Sequence, residues 1–184
     1  RFVRDFAARA AALKVGDPMD PGTEMGALIT AEHMERVLTY VESARRDGAR
    51  IVTGGEPLAL PGPLAGGNFM QPTVIVDAPM ASRVYCEEVF GPVVTITPFR
   101  DEDEVVAWAN DTEYGLSAVL QTSNLSRAHR LAARLEVGTV WVNDFFVRDL
   151  RVPFGGMKNS GIGREGGHYS LEFYTEATNI CVAV

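Results

Sequence analysis

Apolar residues recur at helical spacing along the first fifty positions. Phe2, Phe6 and Leu13, with alanines between them, predict an amphipathic helix over 2–13. Gly16-Asp17-Pro18 ends it, and 17–29 reads as loop. Met34, Val37, Leu38 and Val41 then predict a second helix. Thr30 suits its N-cap, Ile29 and Met34 suit a hydrophobic staple, and Gly48 suits the residue past its end. A short strand over 49–53 stops at Gly54-Gly55, and 56–68 is Pro- and Gly-rich loop. Phe69–Val76 is extended and apolar, with Pro72 pointing to an edge strand or an irregular entry.

After a helical turn within 79–92, the pattern becomes regular. Val93–Phe99 is a strand, and Asp101 with Glu104 resembles a capping box for a helix carrying Val105, Val106, Trp108 and Ala109. Leu116–Gln121 is a strand, Ser123 caps a helix through Leu135, and Thr139–Asn143 is a strand. Strand, helix, strand, helix, strand predicts an α/β fold with a parallel sheet. The strand runs VVTITPF, LSAVLQT and TVWVN are almost continuously apolar, as a sheet covered by helices on both faces requires. Ligands bind beyond the carboxyl ends of such strands, which directs attention to the loop entering Val93 and the loop leaving Asn143. A weak helix around 165–174 precedes a short terminal strand, 177–184.

Composition narrows the function. The 184 residues suffice for one domain with a sizeable core, and 46% hydrophobic with 22% charged residues is ordinary for a globular chain. A net charge of −7 opposes non-specific nucleic-acid binding. No apolar run approaches membrane-spanning length. Cys86 and Cys181 make no disulfide framework, which suits a reducing, cytoplasmic compartment. The opening at Arg1-Phe2, inside a helical pattern and without Met, reads as a piece cut from a longer chain.

Several chemistries are weighed and set aside. Gly161-Ile-Gly163-Arg-Glu-Gly166 matches the dinucleotide fingerprint by letter, but no strand precedes it and too little chain follows. Its glycines are better read as turn and close-approach residues. Cys86 has Glu87 and Glu88 beside it, which disfavours the thiolate, and reads as a small packing residue. Cys181, in the terminal strand, reads as core or interface packing. The three histidines have no ligand spacing, so no metal site is expected, and neither Ser160 nor Ser170 lies in a nucleophile elbow.

Two stretches stay open. Glu87-Glu88-Val89-Phe90-Gly91-Pro92 offers a carboxylate for ribose hydroxyls and a ring for a flat cofactor. Spacing alone favours the plainer reading, a solvated acidic turn with Phe90 in the core. Arg148-Asp-Leu-Arg151 lies between Phe145-Phe146 and Phe154. Arginine in an apolar surround suits a carboxylate clamp, and a surface ion pair with Asp149 suits the same residues equally well.

The ordered set VGDP (15–18), MQPTV (70–74), EEVFGPV (87–93), AND-x-EYGLSA (109–118), GTVWVN (138–143), PFGG-x-K-x-SG-x-GRE (153–165) and YTE (174–176) resembles the C-terminal part of the aldehyde dehydrogenase superfamily. VRDLR-x-PFGG followed by GREGG-x-YSLEFYTE-x-x-NIC is most similar to the 2-hydroxymuconic semialdehyde dehydrogenases. The related 2-aminomuconic and 5-carboxymethyl-2-hydroxymuconic semialdehyde enzymes are similar too. The resemblance implies that residues 1–176 are part of the catalytic domain and 177–184 its oligomerisation strand, with homo-oligomers, dimer or tetramer, as the result. The family attacks an aldehyde with a cysteine thiolate, passes a hydride to NAD and hydrolyses the thioester through a glutamate-activated water. By resemblance, the nucleophile, the general base and most of the NAD site fall outside these residues, so the chain carries no catalytic residue and is expected to be inactive alone. Glu88 then binds the nicotinamide ribose and Phe90 packs near the nicotinamide. Phe154, Phe145 and Phe146 line the substrate tunnel, and Arg148 or Arg151 holds the carboxylate of a small semialdehyde. The rivals are a stand-alone, non-catalytic assembly module and an aldehyde dehydrogenase for uncharged substrates.

Overall fold

The computed structural model describes residues 1–184, which divide into two units, Arg1–Pro98 and Phe99–Val184. The first unit is built on helix α2, Ala31–Arg46. Val37, Tyr40, Val41 and Ala44 are its buried residues, a spacing that places them on one face. Thr30 caps it, its hydroxyl accepting from the His33 amide at 3.0 Å, and Arg45 and Arg46 sit in the last turn, where cations suit the helix dipole. Gly48, at φ 90, carries the chain out as expected. The staple does not form: Ile29 is 87% exposed. A shorter helix, α1, spans Phe2–Ala11.

Three strands complete this unit: β1 (Arg50–Thr53), β2 (Thr73–Val76) and β3 (Val93–Ile96), in the order β1-β2-β3. β1 pairs antiparallel with β2, and β2 pairs parallel with β3. Between β2 and β3 lies a one-turn helix, α3 (Arg83–Cys86). All four residues of β2 are buried, so the strand after Pro72 is central, not an edge. Pro72 is tolerated because it stands just outside the ladder, and the irregular entry is real: the β1 register shifts between Ile51 and Thr53. Val37, Val41 and Met70 form one core cluster and Ala44, Ile75, Ala78 and Val84 another. Each fully buried aliphatic side chain contributes about 1.5–3 kcal/mol.

The second unit begins with α4 (Glu102–Asn110). The Asp101 carboxylate accepts from the Glu104 amide at 2.9 Å, as the capping pattern predicts. The Glu104 carboxylate closes onto the Arg100 amide at 2.7 Å instead of returning to Asp101. The strands β4 (Tyr114–Gly115) and β5 (Ser117–Leu120), helix α5 (Leu125–Ala132), and strands β6 (Thr139–Val142) and β7 (Met157–Lys158) follow. α5 is capped by Asn124, not Ser123: the Asn124 Oδ1 accepts from the Arg127 amide at 2.9 Å. β5 and β6 pair in parallel across α5, the predicted crossover, while β4 and β7 pair antiparallel. The strands predicted as one sheet from Val93 onward therefore belong to different sheets, β3 with β2 and β5 with β6. Nor are β5 and β6 covered on both faces, because Val119 and Val142 are 41% and 37% exposed. Glu102 ties α4 to α5 by accepting from Arg127 and Arg130, each at 2.6 Å.

The last helix is α6, Gly167–Tyr174. Residues 177–184 form no strand within the single chain and are exposed throughout. A strand needs a partner edge for its N–H and C=O groups, and this segment has none within the chain. Mixed helices and parallel pairs nevertheless make the fold α/β. No helix is long and apolar enough to cross a membrane.

Candidate functional site

In the first unit, the turn 87–91 joins α3 to β3. Its two carboxylates differ sharply. Glu87 accepts from the Arg83 guanidinium at 2.8 and 3.0 Å and from the Tyr40 hydroxyl at 2.8 Å. The Arg83 bonds, then the Tyr40 bond, hold its carboxyl far below the ordinary value, at about 2. Arg83 also lies 4.7 Å above the Tyr40 ring. Glu88, one residue on, is exposed. Phe90 is 75% exposed and sits at φ 54, a left-handed conformation uncommon for a bulky residue. It is not a core residue, contrary to the plainer reading of this turn. A free carboxylate and an exposed ring at this position fit a nicotinamide ribose and its ring.

In the second unit, the loop leaving β6 is built from backbone closures. Asn143, at φ 57, spans the ends of β5 and β6: its side-chain nitrogen donates to the Thr122 carbonyl and its oxygen accepts from the Thr122 amide, both at 2.8 Å. Trp141 Nε1 donates to the Val147 carbonyl at 2.9 Å, which pulls the loop back over the strand. Phe145 and Phe146 gather on Trp141, with ring centroids 5.6 and 6.1 Å from it. Both phenylalanines remain more than half exposed, at 69% and 61%.

The two arginines are separated by their environments. Arg151 is 86% exposed at its side chain and is bound by Asp149, Nε to Oδ1 at 2.8 Å. That is the surface ion pair, and it lowers the Asp149 carboxyl pKa through the Arg151 hydrogen bonds. Arg148 is only 26% exposed at its side chain and lies over Phe154, its guanidinium carbon 4.0 Å from the ring centroid. One Arg148 nitrogen donates to Glu165 Oε1 at 2.7 Å. Phe154 and Glu165 are themselves paired, each amide donating to the other's carbonyl at 2.8 Å. The ring and the carboxylate beneath Arg148 are thus set by one antiparallel bridge.

The glycines behave as turn and close-approach residues. Gly166, at φ 106, precedes α6, and the nearest strand before it is the short antiparallel β7, so no dinucleotide cradle forms. A cleft of about 330 Å³ is lined by Phe154, Ser160, Arg164, Glu165 and Phe173, but not by Arg148, Phe145 or Phe146. Cys86 and Cys181, expected as packing residues, are both exposed. Cys86 Sγ donates to the Met80 carbonyl at 3.0 Å, a bond that a thiol makes and a thiolate cannot. No three His, Cys, Asp or Glu side chains converge as metal ligands.

Sequence reasoning missed His33, Tyr40, Trp141 and Glu165. Glu165 and Trp141 had a signal, their places in the GRE and GTVWVN motifs; His33 and Tyr40 act through contacts distant in sequence.

The chain matches the aldehyde dehydrogenase family model over residues 1–180. It is 51% identical to a 2-hydroxymuconic semialdehyde dehydrogenase of Pseudomonas sp. (strain CF600) over 98% of the chain and 37% of that protein. It is 43% identical to a betaine aldehyde dehydrogenase of Cereibacter sphaeroides over 100% of the chain and 37% of that protein. The crystal structure of HpcC from Thermus thermophilus superimposes with a TM-score of 0.89 at 49% identity, over 95% of the chain and 34% of that structure. The chain thus spans about 37% of the length of the curated relatives it matches.

Proposed function

The chain belongs to the aldehyde dehydrogenase family, and we propose that it forms the C-terminal part of an NAD-dependent enzyme oxidising a carboxylate-bearing semialdehyde, of the 2-hydroxymuconic kind, to the acid. The observation that carries the substrate class is Arg148. It is the one arginine of the pair held against an aromatic ring with most of its side chain covered, where a guanidinium binds a carboxylate more strongly than in open solvent. Arg151 directs its donors to Asp149 in solvent and is the weaker candidate. Phe154 supports the Arg148 fork, and Phe145 and Phe146 supply apolar surface for an unsaturated substrate.

Glu88 would hold the hydroxyls of the nicotinamide ribose, and Phe90 would pack beside the nicotinamide. When bound, NAD supplies the hydride acceptor. The residues of this chain bind and orient under this reading; none attacks the aldehyde, because Cys86 Sγ is engaged by the Met80 carbonyl and Cys181 has no base beside it. Residues 177–184, exposed and carrying Ile180 and Val182, would pair with a second subunit. Free, unpaired thiols accord with a cytoplasmic setting.

A second reading has its own support. Arg148 already has Glu165 as a partner, so the pair is complete without a substrate carboxylate. A relative 43% identical is a betaine aldehyde dehydrogenase, and betaine aldehyde carries a quaternary ammonium group and no carboxylate. The test is the ratio of kcat/KM for 2-hydroxymuconic semialdehyde to that for an uncharged aldehyde, measured in the whole enzyme. A ratio above about 100 supports the acidic substrate, and a ratio near unity overturns it.

A further inference from the structure

Helix α2 meets the turn 87–91 at three points of one face. His33 Nε2 is hydrogen-bonded to the Phe90 carbonyl at 2.7 Å. Val37, buried completely, presses on Gly91 so closely that a Cβ there would stand 2.7 Å from Val37 Cγ2. The Tyr40 hydroxyl donates to Glu87 at 2.8 Å. Positions 33, 37 and 40 follow i, i+4, i+7, which places them along one stripe two turns long. The His33 ring also meets the Phe90 ring edge-on at 6.1 Å.

The turn needs such a clamp. Phe90 occupies left-handed backbone space, a conformation that persists only where its surroundings over-determine it. The residue is 75% exposed, so burial of its side chain does not fix it. The fixation comes from the carbonyl of Phe90 and the flanking Glu87 and Gly91, all three held by α2. Glu88 and Phe90 are left pointing outward between those anchors. The anchors are polar at both ends and steric in the middle, which fixes direction as well as position.

We infer that His33 and Tyr40 are positioning residues that fix the turn presenting Glu88 and Phe90 to the cofactor. This rests on the cofactor reading of those two residues. Neither His33 nor Tyr40 touches the cofactor under this inference; both act through the turn. Their removal weakens the engagement of NAD while leaving aldehyde binding intact, because the substrate residues lie on other elements.

The test uses His33→Ala, His33→Gln, Tyr40→Phe and, as a reference, Glu88→Gln. In the whole enzyme, His33→Ala and Tyr40→Phe should each raise KM for NAD about tenfold with KM for the aldehyde unchanged. His33→Gln, which keeps a side-chain donor, should recover part of the loss. In the 184-residue chain, the same variants should speed chymotryptic cleavage after Phe90, since cleavage follows local opening. Cleavage at the wild-type rate in both variants overturns the clamp. Faster cleavage with an unchanged KM for NAD overturns the positioning role, provided Glu88→Gln raises that KM. An unchanged KM in Glu88→Gln removes the cofactor reading itself, and the inference with it.

Discussion

Arg148 lies over Phe154, guanidinium carbon to ring centroid 4.0 Å, with Glu165 holding one of its nitrogens at 2.7 Å. A planar fork held against a ring and by one carboxylate keeps its remaining donors directed, which an ammonium cannot reproduce. Arg148→Ala in the whole enzyme should therefore raise KM for carboxylate-bearing semialdehydes about 10–100-fold, with uncharged aldehydes nearly unaffected. Arg148→Lys should recover little of the loss. Arg151→Ala, which removes only an exposed pair, should stay within about threefold of wild type. Steady-state kinetics with paired acidic and neutral aldehydes separates the two arginines, and equal losses for both substrate classes would show that Arg148 supports the loop and not the substrate.

A glycine contact underlies the same loop. A Cβ on Gly138 would overlap the Gly155 carbonyl oxygen, so the chain entering β6 and the PFGG segment approach backbone to backbone. Gly138→Ala should cost about 2–4 kcal/mol, because the opposing surface is backbone and cannot rotate away. Gly48→Ala meets nothing within 4 Å and loses only through its φ of 90, about 1–2 kcal/mol. Urea unfolding of the chain and its two variants gives the order directly; a Gly48 variant less stable than the Gly138 variant would contradict it.

Local signals were legible where one short-range rule decides the outcome. α2 follows from apolar spacing and its Thr30 cap, and α4 from the Asp101 cap. The parallel pairing of β5 with β6 follows from a strand-helix-strand order. What failed depended on partners far along the chain. Pro72 implied an edge or an irregular entry, and only the second holds: β2 is central because Pro72 stops one residue short of the ladder. Phe90 looked like core, yet it is held outward by His33, 57 residues away. Spacing could not rank Arg148 above Arg151, because the ranking rests on the bridge between Phe154 and Glu165. The tail 177–184 had a strand-like composition, but composition does not supply an edge to pair with.

The chemistry of Cys86 gives a third prediction. Its sulfur is engaged by the Met80 carbonyl, and no side chain hydrogen-bonds to it as a base. The 184-residue chain, mixed with NAD and 2-hydroxymuconic semialdehyde, should form no NADH above the rate without protein. NADH formation that disappears in Cys86→Ala would make Cys86 a nucleophile and refute this.

Glu87 gives a pH dependence of definite sign. Arg83 first, then Tyr40, lowers its carboxyl from 4.5 to about 2. A group with a depressed folded value contributes its full stabilisation above the unfolded value and loses it as pH falls through the folded one. Replacing Glu87 by Gln keeps hydrogen-bonding capacity and removes the charge. The stability gap between wild type and Glu87→Gln should hold level from neutrality down to about pH 5, narrow between about 4.5 and 2, and vanish below that. The gap should be small, because the Glu87 side chain is 43% exposed and water screens the pair. Urea unfolding of both proteins across this range measures it. A gap that widens on acidification would reverse the sign and show that the charge on Glu87 is unfavourable in the folded turn, so that Arg83 and Tyr40 would not be its stabilising partners.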